Sequence, residues 1–183
     1  MEFRDLRADE IECRVQSVKE KGLVRLLYMD ARVDMNMLDE TVGAENWQRE
    51  HYECKGNLFC RVGIRIKADG DVPFSDVWVW KADCGTESNT EAQKGEASDS
   101  FKRACFNWGI GRELYTSPFV WIKAENCNII RKKDSKGNDT YSCYDKFSVE
   151  KIRIENKRIT GLAIKNDTLG KRVYVYSEQK EGE

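Results

Sequence analysis

The sequence predicts an α+β fold: an antiparallel β-sheet, a β-hairpin extended to three strands, packed on a long α-helix, with an additional C-terminal β-meander. Three observations carry this. From 58 to 67, Leu58, Cys60, Val62, Ile64 and Ile66 alternate strictly with Phe59, Arg61, Gly63, Arg65 and Lys67, the period of a strand with one buried face. Further on, Ala97, Phe101, Ala104, Cys105 and Trp108 recur at helical spacing and form one apolar stripe. Between 127 and 176, short apolar segments are separated by turn signals at Lys136-Gly137-Asn138, Glu155-Asn156-Lys157 and 167–170.

Taken in order, residues 1–20 hold scattered apolar positions with no period that selects helix or strand. Residues 23–29 (LVRLLYM) read as a short strand. Residues 31–43 read as a helix, with Val33, Met37, Leu38 and Val42 near helical spacing and Gly43 as its stop. Residues 48–67 form a hairpin turning at Gly56-Asn57, and 76–81 (DVWVWK) a third strand, apolar on both faces and so covered twice. After a polar loop at 83–91, Thr90-x-x-Gln93 has the form of a capping box, and the long helix runs to Trp108, with Gly109 beyond it. The meander takes strands at 127–132, 140–144, 147–154, 158–165 and 172–176. The organisation expected is an N-terminal segment (1–21), a core (22–122), a β-rich extension (123–177) and a disordered polar tail (178–183).

Composition narrows the function classes. Of 183 residues, 40% are apolar and 34% charged, ordinary for a globular protein of the cell interior. No apolar run is long enough to span a bilayer, and the charged N-terminus is unlike a secretory signal. Seven cysteines without a Cys-x-x-Cys pair, and the single His51, argue against a disulfide framework and against the common zinc sites. No P-loop is present, and no carboxylate pair is singled out for a nuclease metal site. No cofactor, metal or catalytic constellation is therefore expected.

The net charge of −1 conceals a gradient. Residues 1–54 hold eight Lys/Arg against thirteen Asp/Glu, 55–122 nine against nine, and 123–172 thirteen against seven. Within the balanced middle, 55–67 carries Lys55, Arg61, Arg65 and Lys67 with no acid between them. A local basic stripe beside an aromatic is what a nucleic-acid site requires, although exposed strand faces are often charged merely because they are solvated. On the long helix, Asp99, Lys102, Arg103 and Phe106 fall on the side opposite Phe101. The two cations suit phosphates, and the ring suits a base or a neighbouring subunit; a solvated face with one stray aromatic is the plain alternative.

The order strand–helix–three strands–long helix, with the stretches "LLYMDARVDMNMLDETVGAENWQ", "GNLFCRVGIRIKADG" and "EASDSFKRACFNWGIGRELY", resembles the single-strand annealing proteins of the Rad fifty-two superfamily, most closely their compact phage and prophage (Sak-type) members. The resemblance covers about residues 22–122. It implies a protein that binds single-stranded DNA in a positive groove and anneals complementary strands in recombination and break repair. Such a protein works without ATP, as a homo-oligomeric ring or filament. Lys102 and Arg103 match the family's adjacent basic pair, Tyr28 an aromatic of the first strand, Lys55 a basic hairpin tip and Lys94 a basic position early in the helix. Phe106 stands where eukaryotic relatives have a further cation, and Arg112 is the residue that compensates. Partners implied are single-stranded DNA, further copies of the chain and a host or phage single-strand binding protein, in the cytoplasm and away from membranes. The competing expectation is a β-rich phage structural or regulatory module with no affinity for single strands.

Overall fold

The computed structural model describes residues 1–66, 77–86 and 92–178, with the side chains of 92–94 outside the description. Along the chain run β1 (Glu12–Lys19), β2 (Gly22–Tyr28), α1 (Ala31–Val42), β3 (Trp47–Cys54), β4 (Asn57–Ile66), β5 (Val77–Cys84), α2 (Ala92–Trp108) and β6 (Val120–Lys123). Then follow β7 (Ile129–Lys133), β8 (Asp139–Cys143), β9 (Phe147–Glu155), β10 (Arg158–Asn166) and β11 (Lys171–Ser177). The fold is α+β with antiparallel sheets and two α-helices. By its contacts the chain forms two units. One holds Met1–Arg4 and Ala31–Gly111; the other holds Asp5–Asp30 and Arg112–Glu183.

The first unit is built on the antiparallel sheet β3-β4-β5. The alternation of β4 survives as burial: Cys60, Val62 and Ile64 are inaccessible or nearly so, as are Phe101, Ala104 and Cys105 of α2 and Met37 and Leu38 of α1. The Trp108 Nε1–H donates to the Val62 carbonyl at 3.0 Å and Asn107 Nδ2 to the Ala82 carbonyl at 3.0 Å, tying the end of α2 to β4 and β5. The end of α2 is a Schellman motif: Gly109 N–H donates to Phe106 O (3.0 Å), Ile110 N–H to Cys105 O (3.2 Å), and Gly109 takes φ +107°. The capping box expected at Thr90 lies outside the described residues. Burial pushes the Cys60 thiol up to about 11 and the Cys105 thiol well above its ordinary value, and the Asp34 carboxylate adds to the second shift.

The β3–β4 hairpin turns one residue earlier than expected, at Lys55 (φ 53°) and Gly56 (φ +76°), with Cys54 paired to Asn57. Two consecutive positive φ angles are what a two-residue hairpin loop needs to match strand twist. A lysine there accepts a left-handed backbone that asparagine would hold more easily.

The second unit is a six-stranded antiparallel sheet in the order β11-β10-β9-β1-β2-β6, with β7-β8 as a separate two-stranded ladder. Residues 12–19, which showed no period, are a strand because β2 imposes it, pairing from Glu12↔Tyr28 to Lys19↔Gly22, and β9 adds the single pair Glu12↔Ser148. Each of the five meander segments contains a strand, but β9, β10 and β11 extend the sheet begun by β1 and β2. Leu23, Val120, Ile122, Ile159 and Ile164 line its buried side. Arg25, only 5% exposed, stacks on Phe147 at 4.3 Å and donates to the Cys13 carbonyl. The buried Glu113 accepts the Leu6 N–H at 2.8 Å. Of the polar tail, Glu178 is described, its carboxylate on Arg158 at 2.9 Å.

At Gly63 packing leaves little room for a side chain. A Cβ built there would stand 2.8–2.9 Å from the Trp80 ring. Gly63→Ala is expected to cost about 1–3 kcal/mol in urea denaturation, and well under 1 kcal/mol in a Trp80→Ala background, where the obstructing ring is gone.

Candidate nucleic-acid interface

The face of the three-stranded sheet turned away from Cys60 and Val62 gathers side chains that lie far apart in sequence. Strand register places Tyr52 opposite Phe59 and Phe59 opposite Cys84, then Glu50, Arg61 and Ala82 in one row, and Gln48, Gly63 and Trp80 in the next. Arg65 pairs with Trp78. Tyr52 and Phe59 stack at 5.6 Å, Trp78 and Trp80 meet at 6.1 Å, and the Arg61 guanidinium lies 4.6 Å over the Trp80 ring. Gly63 has no side chain because Trp80 occupies its place.

On this face the basic ladder meets partners from outside its own strand. No acid separates Arg61 from Lys55 or Arg65 along the chain, but the neighbouring strand brings Glu50 opposite Arg61, whose Nη2 lies 2.6 Å from the carboxylate. Arg65 donates from Nε (2.9 Å) and Nη2 (2.5 Å) to Asn46 Oδ1. The result is an aromatic face with anchored guanidinium groups. Trp78, Trp80, Tyr52 and Glu50 were not foreseen as its members. The signal was present in DVWVWK: a strand apolar on both faces must put its tryptophans on one of them.

On α2, Lys102, Arg103 and Phe106 do share a side, but all three are half-buried, so Phe106 is not the exposed ring that a bare helical wheel implies. Arg103 Nη2 donates to Asp83 Oδ1 on β5 at 3.2 Å, with the two side chains 43% and 25% exposed. Asp99 accepts the Thr86 N–H (3.0 Å) and hydroxyl (3.2 Å). Lys81 Nζ lies 4.3 Å over the Trp108 ring and donates to the Asn107 carbonyl at 2.9 Å. Lys55 is exposed at the hairpin tip. Lys94 sits in the first turn of α2 with its side chain outside the description, and Lys67 lies outside the described residues. His51 Nε2 is 3.1 Å from the Ala97 carbonyl, a packing contact to α2.

Two of the candidates belong to the second unit. Tyr28 ends β2, half-buried, with the Arg14 guanidinium 4.5 Å over its ring. Arg112 is exposed at the start of the short 3-10 turn Arg112–Thr116. Among the described residues, no three His, Cys, Asp or Glu side chains are placed to hold a metal ion.

The sequence model of the Rad52/22 family double-strand break repair protein matches residues 4–132, more than two thirds of the chain. The chain belongs to this family. Membership places it among proteins of DNA recombination and double-strand break repair. The family span holds every candidate named above and ends at Lys132, inside β7. Neither the curated proteins nor the solved structures yield a match.

The Arg103–Asp83 pair is half-exposed, so water screens it. A double-mutant cycle with Arg103→Ala and Asp83→Ala, read by urea denaturation, is expected to give a coupling below about 1 kcal/mol. A larger value would mark Arg103 as a structural cation rather than one available to a ligand.

Proposed function

We propose that the chain binds single-stranded DNA and anneals complementary strands without ATP, as a ring or filament of identical subunits of the phage Sak type. The observation that carries this reading is the adjacent pair Lys102–Arg103 on one side of α2, inside the span matched by the double-strand break repair family. Cations on one rigid helix face hold phosphates at fixed spacing and release condensed counterions, which gives affinity without sequence preference. Lys94, Lys55, Lys67 and Arg112 are assigned supporting phosphate contacts. Phe106 and Tyr28 are assigned contacts to bases or to a neighbouring subunit. On the sheet, Arg61 and Arg65 hold phosphates beside Phe59, whose ring offers a base a stacking surface.

Annealing of this kind is physical rather than covalent, so no catalytic group is required. A shared surface keeps bases exposed and aligned, and a second strand tests them for pairing. Assembly is supported by β5, an edge strand of the three-stranded sheet. It exposes Val77 (57%) and Val79 (37%) beside Ile66 (41%). An open apolar edge is a template for pairing with another chain, and repeated head-to-tail contacts close rings or extend filaments. A host or phage single-strand binding protein is the partner proposed to deliver the DNA.

The test is annealing of complementary oligonucleotides by the purified chain, with and without ATP, and light scattering for subunit number. The expected result is equal acceleration in both conditions by a species of many subunits. A monomer without affinity for single strands would reject the reading. Lys102→Ala with Arg103→Ala is expected to weaken single-strand binding for all sequences. It should also flatten the dependence of log K on log salt by about 1.4, two phosphate contacts at roughly 0.7 each. An unchanged slope in the folded double variant would remove the pair from the site.

A further inference from the structure

The ladder β7-β8 stands apart from both larger sheets, and the family span ends within it at Lys132. Residues 128–146 hold Arg131, Lys132, Lys133, Lys136 and Lys146 against Asp134, Asp139 and Asp145. Each of the three acids is committed. Asp134 organises the turn: its carboxylate accepts the N–H groups of Lys136 (2.8 Å) and Asn138 (2.9 Å) and the Asn138 side-chain amide (3.1 Å). Asp139 bridges Arg131 and Lys133, the second at 2.8 Å. Asp145 accepts from Asn128 N (2.8 Å), Asn128 Nδ2 (2.9 Å) and Asn166 Nδ2 (2.8 Å).

Strand register then separates two faces. Arg131, Lys133, Asp139 and Tyr141 share one, where Glu20 also lines the groove beside Arg131, so its cations are largely answered. Ile130, Lys132, Thr140 and Ser142 share the other. There Lys132 Nζ lies 3.3 Å from the Tyr144 hydroxyl and 5.4 Å from the ring centre, holding the ring by its hydroxyl end. Tyr144 is 71% exposed and Ile130 42%. Lys132 and Lys136 enter no ion pair with a carboxylate among the described residues. An ordered turn that displays one lysine, and a second lysine that steadies an open aromatic ring, pair positive charge with a stacking surface. That combination matches the two chemical features of an unpaired strand, its phosphates and its base faces. A duplex, with its bases stacked inside, offers only the first.

We infer that the β7-β8 hairpin is a second contact for single-stranded nucleic acid, with Lys132 and Lys136 on phosphates and Tyr144 on a base. This rests on the proposed single-strand binding and adds to it a site on a hairpin that runs past the family span.

The experiment measures binding of a labelled oligodeoxythymidylate, its abasic counterpart and heparin to the full chain across a salt series. The variants are Lys132→Ala with Lys136→Ala, Tyr144→Ala and Tyr144→Phe. The lysine variant is expected to flatten the salt slope by about 1.4. Tyr144→Ala should lose roughly fivefold or more on oligodeoxythymidylate and nothing on the abasic strand or heparin, and Tyr144→Phe should restore it. Photocrosslinking of wild-type chain to an oligonucleotide carrying 5-iododeoxyuridine gives a reading that no folding defect can imitate, with an adduct expected on Tyr144. Wild-type binding with unaltered variants and no adduct in 128–146 overturns the inference and leaves the proposed function standing. Equal losses on oligodeoxythymidylate and heparin, with Tyr144→Ala silent, reduce the hairpin to a general polyanion contact and also overturn it. No wild-type binding at all overturns both.

Discussion

The side chains of β4 leave the strand alternately to opposite sides, and most of the first unit follows from which side is buried. Cys60, Val62 and Ile64 lie in the same core as Phe101, Ala104 and Cys105. With that side committed, Phe59, Arg61, Gly63 and Arg65 must share the opposite face with whatever β3 and β5 bring to it. A slip of one residue would carry Arg61 and Arg65 to the side now held by Cys60, Val62 and Ile64, so the register is strongly specified. The positions of Trp80, of Glu50 and of the hairpin tip are downstream of this one phase.

What could be read from the sequence is what short-range periodicity encodes. The alternation of β4, the stripe of α2, the helix α1 and the turns of the C-terminal region are local patterns. Each appears in the structure within a residue or two. The order of strands in a sheet is not local. Nothing in Glu12–Lys19 announces a strand, because the pairing comes from 22–28, with one pair to Ser148 of 147–155. The turn at Lys55-Gly56 was misplaced by one residue for a different reason: asparagine tolerates positive φ better than lysine, yet Asn57 is the first residue of β4 and Lys55 takes the strained place.

The candidate site was half legible for the same reason. Lys102, Arg103 and Phe106 fall together because a helix places neighbours three and four apart on one side. Charge, however, acts through space. Arg61 looked uncontested in a stretch without acids, and Glu50 reaches it from the next strand. Arg103 meets Asp83 from β5 in the same way. Counting cations along a strand therefore overstates the field that a phosphate would meet, and the tryptophans of β5 were hidden from such a count because they carry no charge.

The pairing of Glu12 with Ser148 also bears on how the chain acquires its structure during synthesis. The partner strand of β1 lies 136 positions downstream, whereas β3, β4, β5 and α2 all fall within 47–108. At bacterial-to-eukaryotic elongation rates of about 5–20 residues per second, the interval is on the order of ten seconds. Throughout it, β1 has β2 on one side, while the Glu12 end of its other side waits for Ser148. The first unit completes its ladder while the chain is still being made, and the second waits for its last third. A nascent chain of this design therefore holds the start of β1 open on that side, and a pause in translation between α2 and β9 would lengthen that exposure.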